Sequence, residues 1–211
     1  MLFRSPVWSD GDDSVALTES NSTLTASGNL TLTDNDLSDA VALSKTVAVS
    51  TSTPLPLPDT ATLLGMLGIS PTRLLDDATS TSASVSWVFN SGSEYFNNLP
   101  AGETLTLTYT ITATDTGTPG LTGSTTVSVT ITGTNDGPVL AAPATIALTD
   151  TAGDDNLGTV TGQLVASDMD HNTTLVYSLA GQVSDNSLSG YDRSQTGRFG
   201  KLYLNSSTGA Y

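Results

Sequence analysis

A carboxamide and a carboxylate stand side by side at Asn135 and Asp136, in a short linker that follows two threonine-rich segments. The first segment alternates strictly from Thr104 to Asp115, and the second alternates over residues 125–132. Such alternation is typical of β-strands with one buried face, and oxygen ligands of this kind suit hard cations. The residues therefore indicate a cation site at a junction between two β-domains. Such a site would have a structural role and not a catalytic one.

Two Asp-x-Asp pairs extend this pattern, Asp34 with Asp36 and Asp168 with Asp170. On a turn or an extended segment, such a pair can direct both carboxylates at one point. Two carboxylates about 4 Å apart repel by roughly 4 kcal/mol at an effective dielectric near 20. No Lys or Arg stands near the two pairs or Asp136 in the sequence, so a divalent cation would have to compensate. The alternative is that Asp-x-Asp and Asn-Asp-Gly are ordinary turn residues.

The composition excludes several functional classes. The 211 residues include only six Lys and Arg against 21 Asp and Glu, which gives a net charge of −15. Nucleic-acid binding needs a basic face, and this chain cannot build one. The chain has no Cys, so it has no disulfide or thiolate–zinc site, and a metal ion is the usual substitute in a small extracellular domain. No apolar run approaches the roughly 18 residues of a membrane span.

The chain also repeats itself. Three segments recur in the same order: Val15–Glu19 as Ile146–Asp150, residues 28–36 as 162–170, and Trp87–Asn90 as Leu202–Asn205. This order predicts a tandem repeat whose second copy is cut short, because it has no counterpart of the strands at 104–113 and 125–132. The predicted organisation is leader or linker residues 1–13, a first repeat at 14–136 with an insertion at about 54–75, and a partial second repeat at 137–211 that lacks its C-terminal strands.

The predicted fold class is all-β, with immunoglobulin- or cadherin-like β-sandwich repeats in tandem. The apolar residues of the alternating segments should face a core, and so should Trp87 and Phe89. One short helix is predicted in the insertion, from Thr60 to Leu67, with Asp59 as its N-cap and Gly68 as its stop. We interpret this helix as a decoration on the first sandwich.

Three segments resemble a known family. Thr132-Gly-Thr-Asn-Asp-Gly-Pro-Val139, Phe96–Tyr109 and Gly200–Tyr211 are similar to the VCBS and cadherin-like repeats of large secreted, RTX-type bacterial adhesins. The resemblance covers about residues 15–50 and 83–211. It implies β-sandwich repeats that bind Ca²⁺ at the junctions between successive domains.

The resemblance also implies two sets of Ca²⁺ ligands. The set between the repeats would comprise Glu19, Glu103, Asn135, Asp136, Asp168 and Asp170. The set at the N-terminal end of repeat 1 would comprise Asp34, Asp36 and Asp115. Asp10, Asp12 or Asp13 could stand in for a linker ligand there, although Trp8-Ser-Asp-Gly-Asp does not match the family linker.

The sequence favours a structural function without catalysis. The lone His171 has no Ser or Cys constellation, and nothing places Glu94 and Glu103 across a cleft as a glycosidase pair would require. We therefore expect a calcium-stiffened extender repeat of a bacterial cell-surface adhesin, outside the cell, with neighbouring repeats of the same chain as its main partners. Glycans or proteins would be bound through other domains. The alternatives are a carbohydrate- or protein-binding module of a secreted protein and an accessory domain of a secreted hydrolase.

Overall fold

The computed structural model describes residues 4–9, 13–37, 39–76, 79–149, 152–153, 158–198 and 200–211. The chain divides into two compact units, Met1–Asn135 (unit 1) and Asp136–Tyr211 (unit 2). In the described ranges, no helix has the length and apolar character that a bilayer crossing requires.

Unit 1 is a two-sheet sandwich. In chain order, its described elements are β1 (Val7–Ser9), β2 (Ser14–Thr18), β3 (Thr25–Thr33), β4 (Val41–Thr51), α1 (Thr60–Gly65), β5 (Leu67–Ser70), β6 (Arg73–Leu74), β7 (Ser82–Asn90), β8 (Thr104–Asp115) and β9 (Thr122–Thr132). One sheet has the order β1-β3-β7-β5 and the other the order β2-β9-β8-β4-β6.

This strand order is that of an immunoglobulin-like sandwich. The first sheet corresponds to the A-B-E-D sheet of that fold, and β4, β8 and β9 correspond to its C, F and G strands. The first strand is split, since β1 pairs antiparallel with β3 in one sheet while β2 runs parallel to β9 in the other. The structure thus confirms the all-β, immunoglobulin-like fold class.

The core of unit 1 follows from the alternation of its strands. On β8, all five inward residues from Leu105 to Ala113 are fully buried, and the threonines between them keep part of their surface in solvent. Trp87 and Phe89 are also buried, and Phe89 contacts the ring of Tyr109 across the two sheets at a centroid distance of 6.5 Å. The predicted core positions are confirmed here because period-2 alternation fixes which side chains face inward.

The helix is shorter than predicted and is part of the core. Asp59 is the N-cap, and its side chain accepts the Thr62 N–H at 2.7 Å. The helix ends at Gly65, however, and Leu67 opens strand β5, which pairs with β7. The predicted extension to Leu67 is wrong because pairing with β7 takes over at that point. The segment is also more than a decoration, since it supplies an edge strand to each sheet.

Two donors from the second sheet hold the end of this helix. The buried Tyr109 hydroxyl donates to the Leu63 carbonyl at 2.8 Å. The Lys45 ammonium donates to the Leu64 carbonyl at 2.8 Å and also to the Leu67 carbonyl. A lysine at a helix C-terminus satisfies carbonyls that have no partner within the helix. Burial lowers the pKa of Lys45 and raises the pKa of Tyr109.

Unit 2 has shorter strands. Its described strands are β10 (Val139–Leu140), β11 (Ala166–Ser167), β12 (Val183–Ser184), β13 (Arg193–Gly197) and β14 (Gly200–Leu204). β10 pairs with β11, and β12, β13 and β14 form an antiparallel sheet in that order. Buried Ser194 on β13 donates to an Asp185 carboxylate oxygen at 2.8 Å.

Unit 2 repeats part of the pairing pattern of unit 1. Three pairs of interacting positions recur 132 or 134 residues later along the chain: Trp8–Leu32 as Leu140–Ala166, Asp34–Asp36 as Asp168–Asp170, and Leu43–Thr72 as Tyr177–Ser206. Internal repetition is therefore visible in the hydrogen bonding as well as in the sequence.

One of the three sequence matches is wrong. In unit 1, Gly28 lies opposite Trp87, whereas in unit 2, Gly162 exchanges two backbone hydrogen bonds with Tyr211. Tyr211 thus occupies the place of Trp87, and residues 202–205 do not. The match failed because short apolar strands of one sandwich resemble one another. The two units therefore differ by ten residues between positions 72 and 87, a stretch that begins near the end of the predicted insertion at 54–75.

Candidate functional site

Four carboxylates lie at one end of the unit 1 sandwich, and we call them the Asp34 cluster: Asp34, Asp36, Asp39 and Asp115. Asp34 follows the last residue of β3, and Asp115 ends β8 directly opposite Val41, the first residue of β4. The loop between β3 and β4 carries Asp36 and Asp39 to the same place. The structure thus brings together the three residues predicted for this end and adds Asp39.

Backbone donors satisfy only part of this cluster. Asp34 accepts the Asp36 N–H at 3.0 Å through Oδ1. Asp115 accepts the N–H groups of Gly117 at 3.1 Å and Leu121 at 2.8 Å through its own Oδ1. The Oδ2 atoms of Asp34, Asp36 and Asp39 are buried without any hydrogen-bond partner. Buried polar atoms are normally paired with protein, water or an ion, so these three oxygens mark the candidate binding site.

The electrostatics of the cluster are unfavourable as they stand. Only 2% of the Asp34 surface is exposed. Burial raises its pKa, and the neighbouring charges of Asp115, Asp36 and Asp39 raise it further, against the lowering effect of the Asp36 N–H. Within the described ranges, the salt bridges lie at other carboxylates, on Asp76, Asp185 and Asp192. In that part of the chain, no basic side chain forms a salt bridge with a carboxylate of the Asp34 cluster.

Three carboxylates of unit 2 form a second group, the Asp170 cluster: Asp136, Asp168 and Asp170. Asp170 donates its N–H to Asp168 Oδ1 at 2.9 Å, the same turn that joins Asp36 to Asp34. The Asp136 N–H donates to Asp170 Oδ2 at 3.0 Å. The linker aspartate is therefore bound directly to the Asp-x-Asp pair.

Asp170 has the same two properties as Asp34. It is 7% exposed, and its Oδ1 is buried without a partner. Its pKa is raised, first by burial and then by the charges of Asp168 and Asp136, against the lowering effect of the Asp136 N–H. The two clusters are therefore built around corresponding Asp-x-Asp turns, although the residue with the raised pKa is the first of the pair in unit 1 and the second in unit 2.

The remaining predicted ligands lie at the opposite end of unit 1. Glu19 is buried, and its N–H bonds to the Thr132 carbonyl at 2.9 Å while its Oε1 accepts the Thr134 hydroxyl at 2.6 Å. Glu103 accepts the Gly133 N–H through its carbonyl at 2.9 Å. The start of the linker is thus fixed against Glu19 and Glu103. A ligand role for Glu19, Glu103 and Asn135 stays a prediction.

The linker position of unit 1 differs from that of unit 2. Pro138-Val139 and Pro6-Val7 begin corresponding strands, so Arg4 stands where Asp136 stands in unit 2. Asp13, one of the proposed substitutes, lies between β1 and β2 and accepts the Ser128 N–H through its carbonyl. Asp10 and Asp12 lie outside the described residues.

Asp39 was missed by the sequence reading, although it completes an Asp-x-Asp-x-x-Asp run from Asp34. Only the loop geometry shows that it turns back toward Asp115. Within the part of the chain that the structure describes, no three His, Cys, Asp or Glu side chains form a ready-made metal cage.

No protein-family model and no curated protein matches the sequence. Similar folds of known structure include a PapD-like domain of human CEP192, at 14% identity and a TM-score of 0.39, covering 62% of this chain and 86% of that domain. The CooA pilin subunit of enterotoxigenic Escherichia coli matches at 17% identity and a TM-score of 0.40, and the match covers 62% of this chain and 99% of the pilin subunit. The periplasmic chaperone SfaE matches at 8% identity and 0.35, covering 61% of this chain and 58% of the chaperone. These neighbours are PapD-like or immunoglobulin-like β-sandwich domains.

Proposed function

We propose that the chain is a non-catalytic structural module of a bacterial cell-surface adhesin, whose immunoglobulin-like units bind Ca²⁺ through the Asp34 and Asp170 clusters. One observation carries the proposal. Asp34 and Asp170 belong to corresponding Asp-x-Asp pairs, Asp34 as the first residue of its pair and Asp170 as the second, and each is a buried carboxylate with a partnerless oxygen and additional carboxylates beside it.

The donor set fits this ion. Ca²⁺ takes six to eight oxygen ligands, including carboxylates and backbone carbonyls, in flexible geometry. Asp34, Asp36, Asp39 and Asp115 would hold it in unit 1, and Asp136, Asp168 and Asp170 in unit 2. When bound, Ca²⁺ supplies positive charge among the carboxylates and links the loops that carry them.

The role that follows is mechanical. In unit 1 the Asp34 cluster links the end of β3, the start of β4 and the end of β8, so a bound ion would tie strands of both sheets together. In unit 2 the Asp136 N–H already attaches the linker to Asp170. An ion there would fix the linker on unit 2, which is what an extender module needs. Extracellular modules bind Ca²⁺ with Kd values of roughly 10⁻⁴ to 10⁻³ M.

Calorimetric titration of Ca²⁺ into chelator-treated protein tests the proposal. The expected result is saturable binding that loses one class of site in Asp34→Asn and another in Asp170→Asn. The matched control is Asp76→Asn, which makes the same change of charge at an exposed carboxylate paired with Arg73. Equal Ca²⁺ binding by all three variants would show that the clusters are not the sites.

The mechanical role needs a separate measurement. Small-angle scattering compares the maximum dimension of the chain in chelator and in millimolar Ca²⁺. Stiffening predicts a larger or more sharply defined maximum dimension with Ca²⁺, and an unchanged scattering curve with demonstrated binding would reject the extender role while keeping the sites.

A further inference from the structure

Strand β4 of unit 1 has an open edge along its second half. On one side, β8 pairs with the whole strand, whereas on the other side β6 pairs only with its first two residues. Leu43 then donates its N–H to the Thr72 carbonyl on the β6 side at 2.9 Å. From Lys45 to Thr51, no backbone hydrogen bond to another described residue follows on that side. This stretch therefore has unpaired backbone donors and acceptors.

The register of β4 determines which groups face the open edge. Ser52 donates its N–H to the Thr104 carbonyl, continuing the ladder with β8, whereas Leu43 donates to the opposite side. Because the direction alternates along a strand, the odd-numbered residues direct their N–H and C=O groups away from β8. Val49 is also 42% exposed, although it lies on the same face of the strand as Leu43 and Val47, which pack on the core. The open edge thus leaves an apolar side chain uncovered.

The other edge strands of unit 1 are short or have charged residues or proline beside them. Strands β1 and β5 have three and four residues, and Pro71 follows β5. Strand β2 lies between Asp13 and Glu19, and β6 contains Arg73. By contrast, residues 46–53 contain no charged residue and no proline. Charges and prolines are the usual protection of an edge strand against pairing with another chain, so β4 is the edge available for pairing.

We propose that this edge pairs with the same edge of a second copy of the chain, antiparallel and about a two-fold axis at Ala48. The sequence identifies the occupant, because the strand reads nearly alike in both directions from Ala48. Val47 would lie opposite Val49 of the second copy, and Thr46 would lie opposite Ser50 of the second copy. Such a contact is isologous and closes after two copies. The proposal does not depend on calcium.

The backbone and the side chains favour the same register. With the axis at Ala48, the edge-directed residues Val47 and Val49 of the two copies meet and exchange both of their backbone hydrogen bonds. The exposed side chain of Val49 is then covered by a valine. Cross-strand pairs of β-branched residues and of hydroxyl side chains stabilise a sheet, and this register forms both kinds.

Charge favours this contact over other surfaces of the chain. The net charge of −15 makes two copies repel each other, so a contact between them is least unfavourable where acidic residues are absent. The charged residue of β4 is Lys45, and it would lie opposite Thr51 of the second copy. The two lysines would therefore stand at opposite ends of the paired strands. A contact of one strand edge falls at the low end of interface sizes, below about 1,200 Å², so the association should be weak.

Disulfide trapping tests a weak contact of this kind, and the natural chain has no Cys to interfere. Ala48→Cys would place the two thiols on the axis, in a pair that is not hydrogen-bonded across the edge, with Cα atoms about 4.5 Å apart. Ala42→Cys is the matched control, an exposed alanine on the same face of the same strand. In the proposed pairing its two copies would lie about 40 Å apart, at about 3.3 Å per residue.

The measurement is the rate of disulfide-linked dimer formation under mild oxidation in chelator. Ala48→Cys should form the dimer at least about tenfold faster than Ala42→Cys, because only the first variant brings the thiols within the separation that a disulfide spans. Equal rates for the two variants would overturn the proposal. Because both measurements are made without calcium, failure here leaves the proposed calcium sites untouched, and failure of those sites leaves this contact untouched.

Sedimentation velocity over a range of concentrations provides the test without cysteine. Val49→Lys should weaken dimerisation at least about tenfold, a change of about 1.4 kcal/mol or more, because it places a lysine in the paired edge. Val88→Lys makes the same substitution at a valine that is 50% exposed on β7, between β3 and β5, and should leave dimerisation unchanged. Equal weakening by both variants would contradict the proposed edge. So would a chain that stays monomeric while an unrelated extended peptide slows hydrogen exchange at the amides of 47–51.

Discussion

Acidification should change the stability of unit 1 in opposite directions with and without calcium. The perturbation is a fall in pH from about 7.5 to about 4, which is close to the ordinary pKa of Asp, about 3.9. The pKa of Asp34 is raised in the folded state, so the folded chain takes up a proton there before the unfolded chain does. Without calcium, the contribution of Asp34 to stability is therefore fully present at low pH and lost as the pH rises through the folded pKa.

Calcium reverses this sign because it binds the ionised carboxylates, and protons compete with it. At 10 mM Ca²⁺ and a Kd of roughly 10⁻⁴ to 10⁻³ M, one site stabilises the folded state by about 1.4 to 2.7 kcal/mol through RT ln(1 + [Ca²⁺]/Kd). For a unit of this size, that corresponds to a rise in Tm of about 4–10 °C. Protonation of Asp34 should remove this gain as the pH falls.

The assay is thermal unfolding followed by circular dichroism, compared between the natural chain and Asp34→Asn. The difference between the two is needed because Asp59, Asp185 and Asp192 have lowered pKa values, set by the hydrogen bonds that they accept, and they destabilise the fold in acid. In chelator, the natural chain should gain stability relative to Asp34→Asn as the pH falls. In 10 mM Ca²⁺ it should lose stability relative to that variant. The same sign in both buffers would refute the argument from burial and charge.

Three further predictions concern the scaffold and are checked by denaturant unfolding of the purified chain. Trp87→Ala should destabilise unit 1 by about 3–5 kcal/mol because Trp87 is buried, and Trp8→Ala is the control with a smaller loss, since Trp8 is only half-buried; equal losses would contradict the assigned core. Tyr109→Phe should cost about 0.5–1.5 kcal/mol, because it removes only the hydroxyl that donates to Leu63, and no measurable loss would mean that this bond does not form. Gly133→Ala should cost about 1–3 kcal/mol because a Cβ there would collide with the Leu99 and Pro100 carbonyls, whereas Gly137→Ala, which meets no atom, should be close to neutral.

The sequence predicted the sandwich well because alternation determines which side chains are buried. Every inward residue of β8 was identifiable from period 2 alone, since a strand that slips by one residue would turn its threonines into the core. Gly133 illustrates the opposite case. Its position in the linker looks like ordinary turn chemistry, and only the packed structure shows that the Leu99 and Pro100 carbonyls leave no space for a side chain.

The helix and the repeat register were predicted less well because local signals compete there with tertiary pairing. The leucines of 63–67 fit a helical face, yet Leu67 lies opposite Phe89 in a sheet. Residues 202–205 resembled Trp87–Asn90 in composition, but the two backbone hydrogen bonds between Gly162 and Tyr211 fix the register of unit 2. Neither pairing can be predicted from the residues of one strand alone, because each depends on a partner that is distant in the sequence.

The two carboxylate clusters show why a ligand set cannot simply be copied from one repeat to the next. Both contain the same Asp-x-Asp turn, with the second N–H bound to the first side chain. The additional carboxylates come from different elements, Asp39 and Asp115 in unit 1 and the linker residue Asp136 in unit 2. Arg4 occupies the linker position of unit 1 that corresponds to Asp136 in unit 2, so the linker of unit 1 provides no carboxylate at that position. The loops that bring additional carboxylates to the Asp-x-Asp pair differ between the two units. The ligands of each site therefore have to be identified from the structure of that unit.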